Sequence, residues 1–140
     1  MAANHLNILP TTIITSAVTG VTTEMRTLPA DVVALTMTAN FVRGGGGTTA
    51  DFWVQSSTDN VKWTDIASFN PTTASIVKVF SVNALLAHTH ATATDGTLGD
   101  NTILNGWIGS YLRVKYTTTG TYSSNSSINI TGVAKSLTSR

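Results

Sequence analysis

Three histidines are the residues of this chain best suited to metal or acid–base chemistry: His5, His88 and His90. Because alternate side chains of an extended segment point the same way, His88 and His90 could share one metal ion. A protein metal site needs three or four ligands, and the acidic residues nearby are Asp95 and Asp100. We therefore expect no resident metal or other cofactor, and His88 and His90 are the candidate ligands. A threefold axis in an oligomer could still bring this pair from several chains to one ion.

Catalytic signatures are missing from the sequence. No histidine lies near a Gly-x-Ser-x-Gly turn, and the chain has no cysteine that could act as a nucleophile. Residues 95–101 (DGTLGDN) have the side-chain oxygens and glycines of a calcium loop without the ligand spacing of an EF-hand, which favours a plain turn. The glycine run at 44–47 is not followed by the Lys-Ser/Thr of a phosphate loop. We expect that the protein is not an enzyme.

Aromatic side chains offer a different function. A tryptophan or tyrosine ring can stack on the apolar face of a sugar ring, and β-sandwich domains often carry such platforms. Trp53, Trp107 and Tyr111 are the candidates for glycan stacking. Three tryptophans in a domain of this size are more often core or interface residues, so both interpretations stay open.

Composition restricts the possible partners. The 140 residues carry a formal net charge of +1 and only 11% of them are charged, so we expect no nucleic-acid partner. No apolar run reaches the roughly 18 residues of a membrane-spanning helix, so we expect no membrane partner. Residues 1–10 lack the basic and apolar regions of a secretory signal. A surface of threonine, serine, asparagine and alanine loses little hydration when a neighbour covers it, which is typical of a subunit in an assembly.

The elements that must position these residues are β-strands. Hydrophobicity alternates with a period of two in residues 33–41 and again in 50–57. We interpret these two segments as a hairpin whose mobile tip is the glycine run at 44–47. The Ser-Thr-Asp-Asn turn at 57–60 then leads into 61–69, which predicts a second hairpin with Trp63 packed across it.

The rest of the chain continues this pattern with one interruption. Residues 74–82 are apolar on both faces, which indicates a central or interface strand, and 84–107 lose the pattern. A loop of that length in a small domain is typically an exposed functional or contact loop. Strands return at 110–118, where one face is wet and basic, and at 127–134, while 11–27 form one or two strands near an edge.

These seven to nine short strands predict a single all-β domain. Its fold is an antiparallel β-sandwich of immunoglobulin-like or jelly-roll type, and the sequence leaves both open. We place the sandwich domain at residues 13–134, an extended N-terminal arm at 1–12 and a solvated C-terminal tail at 135–140.

Two segments resemble small β-rich virion structural proteins of tailed bacteriophages. They are 51–69 (DFWVQSSTDNVKWTDIASF) and 99–122 (GDNTILNGWIGSYLRVKYTTTGTY). A V-Q-S…W-x-D-I hairpin and an L-R-V-K-x-T-x-x-G-T-Y strand recur in those proteins. The resemblance covers residues 31–131.

The resemblance implies a non-enzymatic role in the virion, assembled in the host cytoplasm. The nearest role is a capsid decoration (cement) protein on the exterior of the head, commonly a homotrimer, whose partners are the major capsid protein and its own copies. The alternative is a tail, fibre or baseplate carbohydrate-binding module that recognises a surface glycan. Residues expected to contact the capsid or a neighbour come from the N-terminal arm and the long loop: Asn4, His5, Leu6, Ile8, Leu9, Leu85, Leu86, His88, His90 and Leu98.

Overall fold

The computed structural model describes residues 2–137, with side chains from residue 4 onwards, and these residues form strands and loops without any helix. Three of the strands are only two residues long. In chain order the strands are β1 (Ala2–Ile13), β2 (Val18–Thr22), β3 (Arg26–Thr27), β4 (Val32–Val42), β5 (Gly45–Gly46), β6 (Thr49–Ser57), β7 (Thr64–Phe69), β8 (Ile76–Asn83), β9 (Tyr111–Thr119), β10 (Tyr122–Ser123) and β11 (Ser127–Ser136).

Two antiparallel sheets contain most of the chain, so the predicted all-β sandwich is confirmed. The first sheet has the order β1-β11-β4-β8, and the second has the order β2-β9-β6-β7 with β3 also paired to β9. The short strands β5 and β10 pair with each other.

The connections between the eight longer strands define a jelly roll. Counted along the chain, the first sheet holds strands one, eight, three and six, and the second holds two, seven, four and five. Strand one therefore pairs with eight, two with seven, three with six and four with five, and all four pairs are antiparallel. This nested pairing is the double Greek key of a jelly roll. It decides between the two topologies that the sequence left open.

The core lies between the inner faces of the two sheets, to which strands such as β4 and β9 contribute alternate residues. Phe52 on β6 is its aromatic centre. Its ring lies 6.2 Å from that of Phe41 on the opposite sheet and 6.1 Å and 5.6 Å from those of Phe69 and Tyr116 on its own sheet. The contact between Phe41 and Phe52 joins the two sheets, and the other two ring contacts connect neighbouring strands of the second sheet.

The expected N-terminal arm is not confirmed, because this segment is an integral strand. β1 pairs with β11 along its whole length, and the register shifts between Asn7 and Leu9. The resulting bulge turns two consecutive side chains inward, leaving Ile8 1% and Leu9 2% exposed. Burial of these side chains in the core explains why the segment does not extend away from the domain.

The C-terminal boundary also differs from the expected tail. β11 continues through Lys135 and Ser136, and Ser136 is fully buried opposite Val32. The Leu137 amide donates a hydrogen bond to the carbonyl of Asp31. The expected tail residues beyond 137 lie outside the described residues.

The glycine run connects the two sheets and does not form a hairpin tip. β4 belongs to the first sheet and β6 to the second, so the predicted first hairpin is wrong. Gly45 and Gly46 pair with β10 on the way across, and a side chain at Gly47 would collide with the Tyr122 ring. The close backbone approach requires glycine there.

Candidate functional site

The long irregular segment from Ala84 to Ser110 lies across the outer side of the second sheet. It contains no strand, as the sequence predicted, but it is tied to the free edge of β7 by backbone hydrogen bonds. The Ser68 amide donates to the carbonyl of Thr102, and the Leu104 amide donates to that of Ile66. We call residues 84–110 the cover loop, because they shield an edge that would otherwise be unpaired.

A buried carboxylate anchors the middle of the cover loop. Asp65 on β7 is fully buried, and its two oxygens accept the consecutive backbone N–H groups of Gly96, Thr97 and Leu98 at 2.8–3.1 Å. Three amides converging on one anion resemble the backbone nests that bind phosphate, except that the anion here belongs to the protein. The chemistry of this carboxylate is therefore structural.

Gln55 is the hub that connects this anchor to the rest of the sheet. Its amide nitrogen donates to Asp65 at 2.8 Å and to Asp95 at 2.7 Å, and its amide oxygen accepts from Arg113 Nε at 2.8 Å. All of the polar capacity of this fully buried side chain, apart from one lone pair, is used. Satisfied buried networks of this kind fix a single arrangement of the groups they join.

Charges at the rim of this network are mutually stabilised. Lys115 forms an ion pair with Asp95 at 2.9 Å, and the Arg113 guanidinium lies 4.3 Å from the Trp63 ring centroid. Hydrogen bonds from Gln55 and then Lys115 lower the pKa of Asp95 below its ordinary value, while burial lowers the pKa of Arg113. The basic side chains on the solvent-exposed face that we expected for β9 are therefore largely paired with groups of the same protein.

Trp53 is covered by the same loop. Only 8% of its surface is exposed, and its indole N–H donates to the carbonyl of Leu98 at 3.2 Å. Leu98, a predicted contact residue, is half-buried and serves this internal role. Trp53 therefore has no free ring face for a sugar, which corrects its place among the stacking candidates.

Residues of the cover loop line a pocket of about 380 Å³. It brings together three residues that the sequence singled out separately, His88, His90 and Trp107. The remaining lining residues are Thr64, Ala91, Thr92, Ala93 and Leu104. None of the lining side chains is Asp, Glu, Lys or Arg, so the pocket contributes no fixed charge of its own.

The ring of His88 is held in place within this pocket. Its Nδ1 is hydrogen-bonded to the carbonyl of Thr89, and the ring lies directly over Gly106. A Cβ at position 106 would fall 1.8 Å from the His88 ring, and Gly106 has φ 93°, so only glycine fits there without displacing the histidine.

An exposed apolar stretch runs from β8 into the cover loop. Val77 and Val79 are 59% and 75% exposed on the outer side of β8, and Leu85 and Leu86 are 64% and 50% exposed just after it. Lys78 is the one charged residue between positions 76 and 93. We call residues 76–93 the contact stretch. β8 is an edge strand, so of the two positions the sequence allowed for it, the central one is wrong.

The other predicted contact residues do not form one surface. His5 is exposed and Leu6 half-buried in the lining of an open pocket of about 500 Å³ on the outer face of the first sheet, and Asn4 is half-buried near the start of β1. The core positions of Ile8 and Leu9 remove them from the candidate contact set. Tyr111 is half-buried on β9, away from the pocket that holds Trp107.

Sequence reasoning did not single out Gln55 or Asp65. Their polarity was the available signal, because the other residues of their strands are largely buried. In β7 all six residues are buried. The two sequence motifs, residues 51–69 and 99–122, contain these same residues: Gln55, Trp63 and Asp65 in the first, and Arg113 and Lys115 in the second. The two motifs therefore meet in the network that anchors the cover loop.

Within residues 2–137, no cluster of three or more histidine, cysteine or acidic side chains could hold a metal ion. No helix of the described chain has the length and apolarity needed to cross a bilayer. No family model, curated protein or solved structure matches this chain.

Proposed function

We propose that this chain is a non-enzymatic structural protein of a tailed-phage virion, specifically a decoration protein that binds the exterior of the head shell. The resemblance of the two motifs to phage virion proteins supports this class of protein. The jelly roll is also an architecture used by viral capsid domains, although a fold alone does not define a function.

The contact stretch is the observation that carries the proposal. Four apolar side chains, Val77, Val79, Leu85 and Leu86, are each at least half exposed within ten residues. Completing the burial of one such side chain contributes about 1 kcal/mol, and a stretch with one charge has few ions to desolvate. A surface of this kind favours contact with another protein over contact with water.

The anchored cover loop makes this surface suitable for attachment. Asp65 and Gln55 fix the segment that directly follows the contact stretch, which limits the conformational entropy that this end of the stretch loses when a partner binds. Leu85 is also positioned locally, because its amide donates to the side-chain oxygen of Asn83 at 2.9 Å.

Attachment to the shell follows from many modest contacts acting together. The proposed partners are the major capsid protein and further copies of this chain, arranged as a homotrimer on the head exterior. Several linked contacts bind far more tightly than one, and binding to the closed shell stabilises it by mass action. Assembly of this complex is proposed to take place in the host cytoplasm.

Charge substitution in the contact stretch tests the proposal. A Leu85→Asp/Leu86→Asp variant is mixed with undecorated heads, the heads are re-isolated, and the bound protein is quantified. We expect occupancy to fall at least tenfold, because two carboxylates would have to be desolvated in the interface. Val61→Asp is the matched control, since Val61 is 76% exposed in a turn outside the contact stretch. Equal occupancy of both variants and the wild type would overturn the proposed contact surface.

A further inference from the structure

We propose that the pocket formed by Trp107, His88 and His90 binds a neutral saccharide. This inference is independent of capsid attachment, and it would serve equally in the tail, fibre or baseplate module that the sequence left as an alternative. The pocket adjoins the exposed leucines, because five of its lining residues, between His88 and Ala93, belong to the contact stretch.

The apolar part of the pocket lining offers an aromatic ring on which a sugar could stack. Trp107 packs partly against the hydrophobic core, which fixes its ring, and the ring also lines the pocket together with Leu104. A fixed aromatic face binds the apolar C–H face of a pyranose without losing side-chain freedom. The pocket volume of about 380 Å³ lies within the range of small-molecule sites.

The walls offer hydrogen-bonding side chains and contain no Asp, Glu, Lys or Arg. His88, His90, Thr64 and Thr92 line the pocket, and the Thr64 hydroxyl also accepts the Thr94 amide at 3.1 Å. The Nδ1 of His88 is already occupied by the Thr89 carbonyl, which fixes the ring and leaves Nε2 for a ligand. An apolar lining with a few polar side chains matches a polyhydroxy ring, whereas an acidic sugar would find no lysine or arginine among the lining residues.

The remaining tryptophans are already engaged. Trp53 is buried and hydrogen-bonded to Leu98, and Trp63 stacks with Arg113. Trp107 lines the pocket, so aromatic binding is assigned to this position.

The test is a titration of the purified protein with neutral and acidic mono- and oligosaccharides, followed by amide chemical shifts in NMR spectra. We expect shifts centred on residues 88–93 and 104–107 with neutral sugars. Binding should weaken at least tenfold in Trp107→Ala and in the double variant His88→Ala/His90→Ala. His5→Ala is the matched control, because His5 lies outside the pocket on β1, and it should bind as the wild type does.

The double histidine variant keeps the test valid if Trp107→Ala fails to fold, because both histidines are exposed. Absence of binding to every neutral sugar at millimolar concentration would overturn the inference. Binding to acidic sugars alone, or binding that survives both pocket variants, would overturn it as well. Head occupancy is measured separately, so failure of the saccharide site leaves the result on capsid attachment unaffected, and the reverse also holds.

Discussion

Gln55 and Asp65 lie opposite each other on β6 and β7, and the Gln55 amide donates a hydrogen bond to the Asp65 carboxylate at 2.8 Å. Both side chains are fully buried beneath the cover loop. This pair connects the strands of the sandwich to the loop that carries the pocket and half of the contact stretch. The proposed binding surfaces therefore depend on a polar network inside the protein.

Removal of the Asp65 charge should release the cover loop. In Asp65→Asn, an amide NH₂ replaces one oxygen that accepts backbone N–H groups. The new NH₂ and those N–H groups are all donors, so buried donors would face one another without an acceptor. We expect unfolding free energy to fall by about 3 kcal/mol and proteolysis within residues 84–102 to accelerate. Urea denaturation and limited proteolysis measure these effects.

Asp59→Asn is the matched control for this change. Asp59 is exposed and accepts the turn amides of Val61 and Lys62, a role that the asparagine oxygen can retain. We expect a loss of less than about 0.5 kcal/mol. Equal losses in the two variants would show that Asp65 has no special anchoring role.

Gln55→Glu should make stability depend on pH. The new carboxylate would lie beside Asp65 and Asp95 and lose both donated hydrogen bonds, so burial and like charge would raise its pKa. A carboxyl group whose pKa is raised on folding destabilises the folded state when it ionises. The loss of unfolding free energy relative to wild type should therefore grow as pH rises from about 4 to 7. Urea denaturation across this range measures it, with Gln55→Met as a control whose penalty stays constant. A pH-independent penalty for Gln55→Glu would contradict the network.

Ionised Asp95 should stabilise the fold above its ordinary pKa of 3.8. Hydrogen bonds from Gln55 and Lys115 lower its pKa in the folded state, so its contribution is present above pH 3.8 and is lost as pH falls through the lowered value. The stability difference between wild type and Asp95→Asn should therefore shrink between about pH 5 and pH 2. A difference that stays constant over this interval would argue against the proposed stabilisation.

Ile8 provides a direct test of whether the N-terminal segment belongs to the core. Because its side chain is buried at the β1 bulge, Ile8→Ala should lower the unfolding free energy by about 3 kcal/mol. His5→Ala, on the exposed face of the same strand, should change it by less than about 0.5 kcal/mol. Thermal or urea denaturation distinguishes these outcomes. A similarly small effect of both substitutions would indicate that the N-terminal segment is a detached arm.

Strands with uninterrupted alternation could be predicted from the sequence. β4 and β11 show it clearly. The predicted turn before β7 is also present, and in it Asn60 adopts the left-handed conformation that asparagine tolerates, with φ 60°. β1 was missed because the bulge at Ile8 breaks the period of two and Pro10 further obscures the pattern. Proline is tolerated there because β1 is an edge strand.

Connections between sheets could not be predicted from local patterns. Two alternating segments joined by glycines read as a hairpin, whereas the actual connection passes from one sheet to the other. Only the packing of all eight longer strands decides this, because nested jelly-roll pairs such as β1 with β11 join distant parts of the chain.

The candidate site was predictable in part. His88, His90 and Trp107 were recognisable by residue type, but their meeting in one pocket depends on how Asp65 anchors the cover loop across the sheet. The sequence placed Trp53 in the same class as Trp107, because burial beneath a loop leaves no signature in composition or spacing.

The most direct test of the proposed function is the binding of the purified protein to undecorated heads. After mixing and re-isolation, the ratio of bound protein to major capsid protein is measured, and light scattering gives the mass of the free protein. We predict saturable binding at a fixed ratio by a trimeric protein. A protein that does not co-sediment with heads at any concentration would contradict the decoration role.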